Sequence, residues 1–248
     1  MTDAITIRDF ATQADYAACV ALQHDTWGQK FNDVVPASVQ QIAQKVGGVA
    51  AGAFDATGRL VGFVFGITGV ENGVIVHWSD MLAVRRESQN SGVGRRLKDF
   101  QRRAVARVGA KLIYWTYDPL VARNAHLNFN VFGVRVKEYV RDMYGRDTAS
   151  VLHSGIGTDR LVVAWPVDDG QVAERLRETS AAREGKHTAT IAVPADIAAV
   201  MRSDPARAVE WRNTTRREFE TALARGDRID GFLMDPSRAH GVYLLSRP

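Results

Sequence analysis

Cysteine is nearly absent from this 248-residue chain, and the absence excludes several protein classes at once. Cys19 alone cannot form an intramolecular disulfide, and a four-cysteine zinc site is out of reach. Long apolar runs are missing as well. The longest, Leu60 to Ile67, is a strand's length and far short of the ~20 residues that cross a bilayer. The opening residues carry Asp3 and no apolar stretch, so no secretory leader is expected and a cytoplasmic location is. A P-loop would need Gly-Lys-Ser/Thr and a dinucleotide fold a full G-x-G-x-x-G with an acidic residue ~20 positions on; neither is present in the right place. Lysine is scarce too, six of 32 basic residues, which leaves 26 arginines.

What is there reads as a globular protein, 46% hydrophobic and 24% charged with net charge +4, so a mostly disordered chain is excluded. At ~150 residues per domain the length suits one large domain or a domain with an appendage. Arginine suits bidentate grip on phosphate or carboxylate, yet arginine-rich usage also follows base composition, so position matters more than number.

Ile5 to Arg8 reads as a strand, Thr12 opens a helix ending near Gly28, and Pro36 to Val46 is a second amphipathic stretch. Val49 to Phe54 and Leu60 to Ile67 form a hairpin around Asp55-Ala56-Thr57-Gly58, and Asn72-Gly73 turns the chain into a third strand, Val74 to Val84. Val93, Leu97, Phe100, Ala104, Val105 and Val108 then share one helical face, with Arg95, Arg96, Lys98, Arg102, Arg103 and Arg107 on the rest. The buried-type strand Leu112 to Tyr117 follows, so the two strands flanking this helix are expected to be parallel. Asn124 to Phe132 is helical and Leu161 to Trp165 a strand. Beyond Pro166 come helical Val172 to Arg183, strand-like His187 to Val193, a helix from Asp204-Pro205 to Arg225-Gly226, and two closing strands, Ile229 to Met234 and Val242 to Leu245. The expected fold class is α/β (α+β), a mixed central sheet with flanking helices plus a smaller α/β extension. The expected domains are 1–166 and 167–248, the second docked on the first.

The chemistry concentrates where Leu82-Ala83-Val84 runs through a polar loop, Arg85 to Ser91, into a helix whose start carries Gly92 and Gly94. Such a turn leaves backbone N–H groups unpaired at a helix N-terminus, open to an anion. Eight basic residues between Arg85 and Arg107 face only Glu87 and Asp99, which points to a phosphate-rich ligand. The plainer reading is a tight strand-to-helix turn on a solvated arginine-rich helix.

Strand, two helices, a three-strand meander, Gln89-x-x-Gly92-x-Gly94, helix, strand, helix, strand: over Ile5 to Trp165 this order resembles the GCN5-related N-acetyltransferase (GNAT) superfamily. The resemblance implies acetyl-CoA or another acyl-CoA as co-substrate, with no metal. Backbone amides of Asn90, Ser91, Gly92, Val93, Gly94 and Arg95, behind Gln89, would hold the pyrophosphate. Leu82 and Val84 would pair with the pantetheine arm. Asn90 stands where the family usually has glycine, and asparagine tolerates left-handed backbone angles. The run Asn124 to Val134 looks like the family's late motif, which assigns Asn124 to the pantetheine and puts Phe129 where a proton-donating tyrosine is common. Tyr139 or Tyr144 could replace it, or water, although either tyrosine could as easily be packing. The runs Trp115 to Leu120 and Asp159 to Trp165 further resemble a little-characterised GNAT branch with a carboxyl-terminal extension.

By resemblance, the oxyanion would meet backbone N–H near Met81 and Leu82, and the base would come from the same strand. Simple alternation puts Trp78, Asp80, Leu82 and Val84 on one face and His77, Ser79, Met81 and Ala83 on the other. Asp80 is the first candidate base and His77 the second. Arg212 and Arg216 share a helical face, either to meet a carboxylate on an acceptor or acyl group or simply as solvated charge. His153 to Thr158 reads as a loop that could cover the acceptor. The expected function is acyl transfer from CoA to the amine of a small molecule or amino acid, against an alternative of non-catalytic acyl-CoA binding. Nucleic acid and membrane are not expected as partners; a homodimer through an open sheet edge is allowed.

Overall fold

The computed structural model describes residues 5–145, 155–235 and 239–247, which group into two compact units dividing between Tyr114 and Trp115. The first unit opens with β1 (Thr6–Asp9), α1 (Gln13–Trp27) and α2 (Ala37–Lys45). Its strands are β2 (Val49–Phe54), β3 (Leu60–Glu71), β4 (Val74–Val84) and the first half of β5 (Leu112–Tyr117), with α3 (Val93–Arg107) between β4 and β5. Local chemistry sets the boundaries. Thr12 caps α1 in a capping box with Asp15, whose carboxylate also takes Arg8 through two bonds of 2.8 and 2.9 Å and so ties β1 to α1. Asn72 and Gly73 both have positive φ, as the tight turn between β3 and β4 requires.

β1 to β4 pair antiparallel in sequence order, and β4 pairs parallel with β5, as expected for strands joined through a helix. Phe10, Tyr16, Leu22, Phe54, Phe63 and Phe65 fill the core beneath α1 and α2. Each such side chain contributes ~1.5–3 kcal/mol by leaving water.

The second unit runs on from Trp115 through α4 (Ala122–His126), which widens into a π-type turn (Leu127–Phe132) and stops at Gly133 with φ +65°. It continues with β6 (Arg135–Val140), β7 (Arg160–Pro166), α5 (Asp169–Arg183), β8 (Ala189–Pro194), α6 (Ile197–Ser203), α7 (Pro205–Ala224), β9 (Arg228–Met234) and β10 (His240–Ser246). β6 and β7 pair antiparallel, and β8, β10 and β9 form a separate antiparallel sheet in that order. In the first unit the strands thus lie in the order β1-β2-β3-β4-β5, and in the second β6 lies beside β7. Sequence reading did not assign β6 or α6. β6 carries Arg135, Lys137 and Glu138, the charged composition of an edge strand, and that hides its alternation.

Within this unit the carboxyl-terminal segment is bound by buried ions rather than by apolar packing alone. Arg212, 2% exposed, donates to Asp118 at 2.5 Å and to the Ile156 carbonyl at 3.1 Å. Arg216 clasps Asp159 at 2.7 and 2.5 Å and reaches Asp142 at 3.1 Å. The two arginines are therefore neither solvated charge nor acceptor ligands.

Candidate acyl-CoA site

β4 is the strand on which the site is built, and it is irregular. Phe65 pairs with Met81 but the next residue, Gly66, pairs with Ser79, which leaves Asp80 as the extra residue of a β-bulge. The bulge changes which face each side chain occupies. His77 and Ser79 meet α3 through Gln101 and Lys98, and Leu82 and Val84 lie on that same side beneath Gly94. Met81 and Ala83 instead join the core under α1 and α2. Uninterrupted alternation is thus corrected: from Met81 onward every side chain lies opposite to the face it predicts.

His77 is corrected as a base. It is 0% exposed, with Nδ1 2.9 Å from the Thr68 hydroxyl and Nε2 3.0 Å from the Gln101 amide, so neither nitrogen faces solvent or substrate. Burial, with the Lys98 charge adding, pushes its pKa down to about 3. Gly66 is what leaves room for this arrangement, since a Cβ there would lie 2.3 Å from His77 Nε2. Lys98 was expected among the solvated residues of α3. It is 7% exposed and donates to Ser79 Oγ at 2.7 Å, with its pKa lowered to about 7 by burial.

Both groups bind fewer protons folded than unfolded, Lys98 between about pH 7 and its usual value and His77 from about pH 3 to the usual imidazole range. Stability therefore rises with pH through both windows. Urea unfolding of wild type and Lys98→Met at pH 6 and pH 9.5 is expected to show the wild type gaining on the variant at the higher pH, by on the order of a few kcal/mol. A difference independent of pH would rule out the lowered Lys98 pKa.

Asp80 is accessible to solvent, yet its carboxyl pKa is raised, first by desolvation and then by the charge of Asp33 in the α1–α2 connection. A raised pKa makes the ionised carboxylate a stronger base.

The edge of β4 supplies the next feature. Its ladder with β5 covers Val76–Leu112, His77–Ile113 and Trp78–Tyr114, in the first half of β4. Arg85 N–H donates to the Val61 carbonyl at 2.8 Å, and Gly62 pairs with Val84; in this register Leu82 and Val84 turn their backbone groups away from β3. The Val84 carbonyl accepts the Gln89 side-chain amide at 3.0 Å, which closes the loop onto the strand.

That loop passes through one short turn (Arg86–Ser88) to Asn90 at φ +63° and Gly92 at φ +82°. Gly92 is the N-cap of α3 and has no side chain to accept from the amides of Val93, Gly94 and Arg95. The start of α3 lies over Leu82 and Val84: a Cβ at Gly94 would meet both side chains at 3.7 Å, an ordinary van der Waals contact.

Asn124 belongs to the second unit, exposed on α4. Phe129 is fully buried there, edge-on to Tyr243 with ring centroids 5.9 Å apart. Tyr139 donates its hydroxyl to Asp159 and stacks on Phe219, so it is held in packing. Tyr144 is half-exposed with its hydroxyl 2.9 Å from that of Thr116. His153 and Ser154 of the glycine-rich loop lie outside the described residues.

No protein-family model and no curated protein matches this chain. Solved structures do. An aminoglycoside 6'-acetyltransferase of type Ii matches with 18% identity and TM-score 0.51 over 66% of this chain and 97% of its own. A protein from Desulfovibrio desulfuricans assigned to the GNAT acetyltransferases matches with 16% identity and TM-score 0.50 over 66% and 100%. The ribosomal-protein-S18-alanine N-acetyltransferase of Escherichia coli matches with 17% identity and TM-score 0.50 over 66% and 95%. Together with the mixed sheet, the bulged β4 and the loop entering α3, these likenesses show that the chain has the GCN5-related N-acetyltransferase fold.

Proposed function

We propose that the protein is an acyl-CoA-dependent N-acyltransferase that moves an acetyl or other short acyl group, such as succinyl, to the amine of a small molecule or amino acid. The observation that carries this reading is the continuity of the β4 edge, where the backbone groups of Leu82 and Val84 turn away from β3, with the left-handed loop and uncapped amides of α3. The strand edge suits the amide groups of a pantetheine arm, and the helix start suits a pyrophosphate. Gln89 holds the loop to the strand, and Asn90 to Arg95 supply the donors; Asn124 is assigned to the pantetheine by resemblance alone. On this reading residues 1–166 are the acyl-CoA-binding domain and 167–248 the extension, in a cytoplasmic enzyme without nucleic-acid or membrane partners that is able to pair as a homodimer.

Acyl-CoA brings a thioester carbonyl. The chain supplies the Leu82 N–H toward the developing oxyanion and the Asp80 carboxylate to take the proton from the attacking amine in a ternary complex. The C–N bond forms, the C–S bond breaks, and CoA leaves as the thiolate, which takes a proton from water.

Isothermal titration with acetyl-CoA is expected to show binding that Gly92→Pro weakens at least about tenfold, since proline distorts the left-handed cap. Unweakened binding in that variant would remove the loop from the site. A second reading, acyl-CoA binding without turnover, is favoured by one observation, the buried Phe129 in place of a hydroxyl-bearing donor. Thiol release with acetyl-, propionyl- and succinyl-CoA against a panel of amines and amino acids separates the two. The aminoglycoside and ribosomal-protein enzymes of like fold make aminoglycosides and peptide amino termini the first additions to that panel.

A further inference from the structure

Arginines converge a second time, in the other unit. A cavity of about 250 Å³ is lined by Arg135 and Lys137 of β6, Arg175 of α5, Arg228 of β9, and the carboxylates of Asp227 and Asp230. Arg175 lies at its floor, 5% exposed. Its guanidinium meets Glu178 and reaches the Val134 carbonyl at 3.4 Å, while its buried Nε has no hydrogen-bond partner. Burial lowers its pKa to about 10, with Arg135 and Arg228 adding to the shift and Asp230 and Glu174 opposing it.

The nearby carboxylates are already engaged. Asp227 takes Arg225 at 2.7 Å, Asp230 accepts the Ser246 hydroxyl with Arg228 3.8 Å away, and Glu178 is shared between Arg175 and Arg135, the latter at 3.7 Å. Four cations and two carboxylates thus line the recess. A bulge at Lys137, which β7 skips when it pairs Val136 with Val163 and Glu138 with Val162, turns that lysine out of the regular ladder.

We infer that this recess binds a compact oxyanion, a small molecule bearing a phosphate or carboxylate group, as a site separate from the acyl-CoA loop. Guanidiniums grip such groups through paired hydrogen bonds, and the excess of positive charge offsets the ligand's desolvation. The volume holds one small metabolite and is far too small for a nucleic-acid groove. The ligand would join β6 to α5 and β9 and so stabilise the second unit; the inference stands whether or not the first unit transfers acyl groups.

The test is thermal unfolding and isothermal titration of the full chain with inorganic phosphate and with succinate, at ionic strength held constant with sodium chloride. Saturable binding is expected, weakened about tenfold or more in Arg228→Gln and in Arg135→Gln. Both positions are exposed, so both variants should fold. Gly92→Pro, which alters the loop before α3, is expected to leave this binding unchanged. Binding of phosphate alone identifies a phosphate ester as the ligand class, and binding of succinate alone a carboxylate. A shift matched by chloride, or equal in wild type and both arginine variants, overturns the site.

Discussion

Replacing Arg212 by methionine is expected to lower the unfolding free energy by about 3–5 kcal/mol, read from urea or thermal denaturation of the full chain. The size follows from what the substitution leaves behind. Asp118 is 5% exposed, and its Oδ2 takes the Arg212 guanidinium at 2.5 Å with Arg160 more distant at 3.8 Å. Losing Arg212 strands most of a carboxylate charge in the interior and removes the donor to the Ile156 carbonyl. The double variant Arg212→Met, Asp118→Asn keeps the amide oxygen that accepts Leu120 N–H at 2.9 Å and removes the charge, so it is expected to recover part of the loss. If the double variant is no more stable than the single one, the damage comes from packing and not from the stranded charge.

The second large effect is catalytic. With an acceptor found by the amine panel, Asp80→Asn is expected to lower kcat/KM by about 10²–10⁴-fold while leaving acetyl-CoA binding nearly unchanged, because the carboxylate is assigned to the proton and not to the cofactor. Desolvation and the nearby Asp33 raise the Asp80 pKa, so the group is deprotonated above, and protonated below, a value higher than that of an ordinary carboxylate. Activity should therefore fall as pH drops through that raised value, and this acid limb should vanish in the variant. An unchanged kcat/KM across pH would remove Asp80 from the mechanism and direct attention to an ordered water.

His77 and Asp80, three residues apart on one strand, show how far local reading reaches. Both were candidate bases by residue type. Only the pairing of His77 with Thr68 and Gln101, the latter 24 residues away, withdraws one, and only the bulge, produced by the register of β3 against β4, exposes the other. Alternation has a period of two, so a single extra residue reverses every face beyond it, and nothing in Ser79-Asp80-Met81 announces that residue.

What the sequence by itself determined is the part governed by near neighbours. The meander turns at Asp55–Gly58 and Asn72-Gly73, the helix between two parallel strands, the left-handed Asn90 and Gly92 before α3 and the glycine stop at Gly133 all follow from residues within a turn of one another. The tertiary structure alone decided which charges go inside. Lys98 finds Ser79 19 residues away, Arg216 finds Asp159 57 away, and Arg212 finds Asp118 94 away. A helical face reads as solvated when its partners are unknown, and a buried cation is tolerated only where the fold brings an acceptor to meet it.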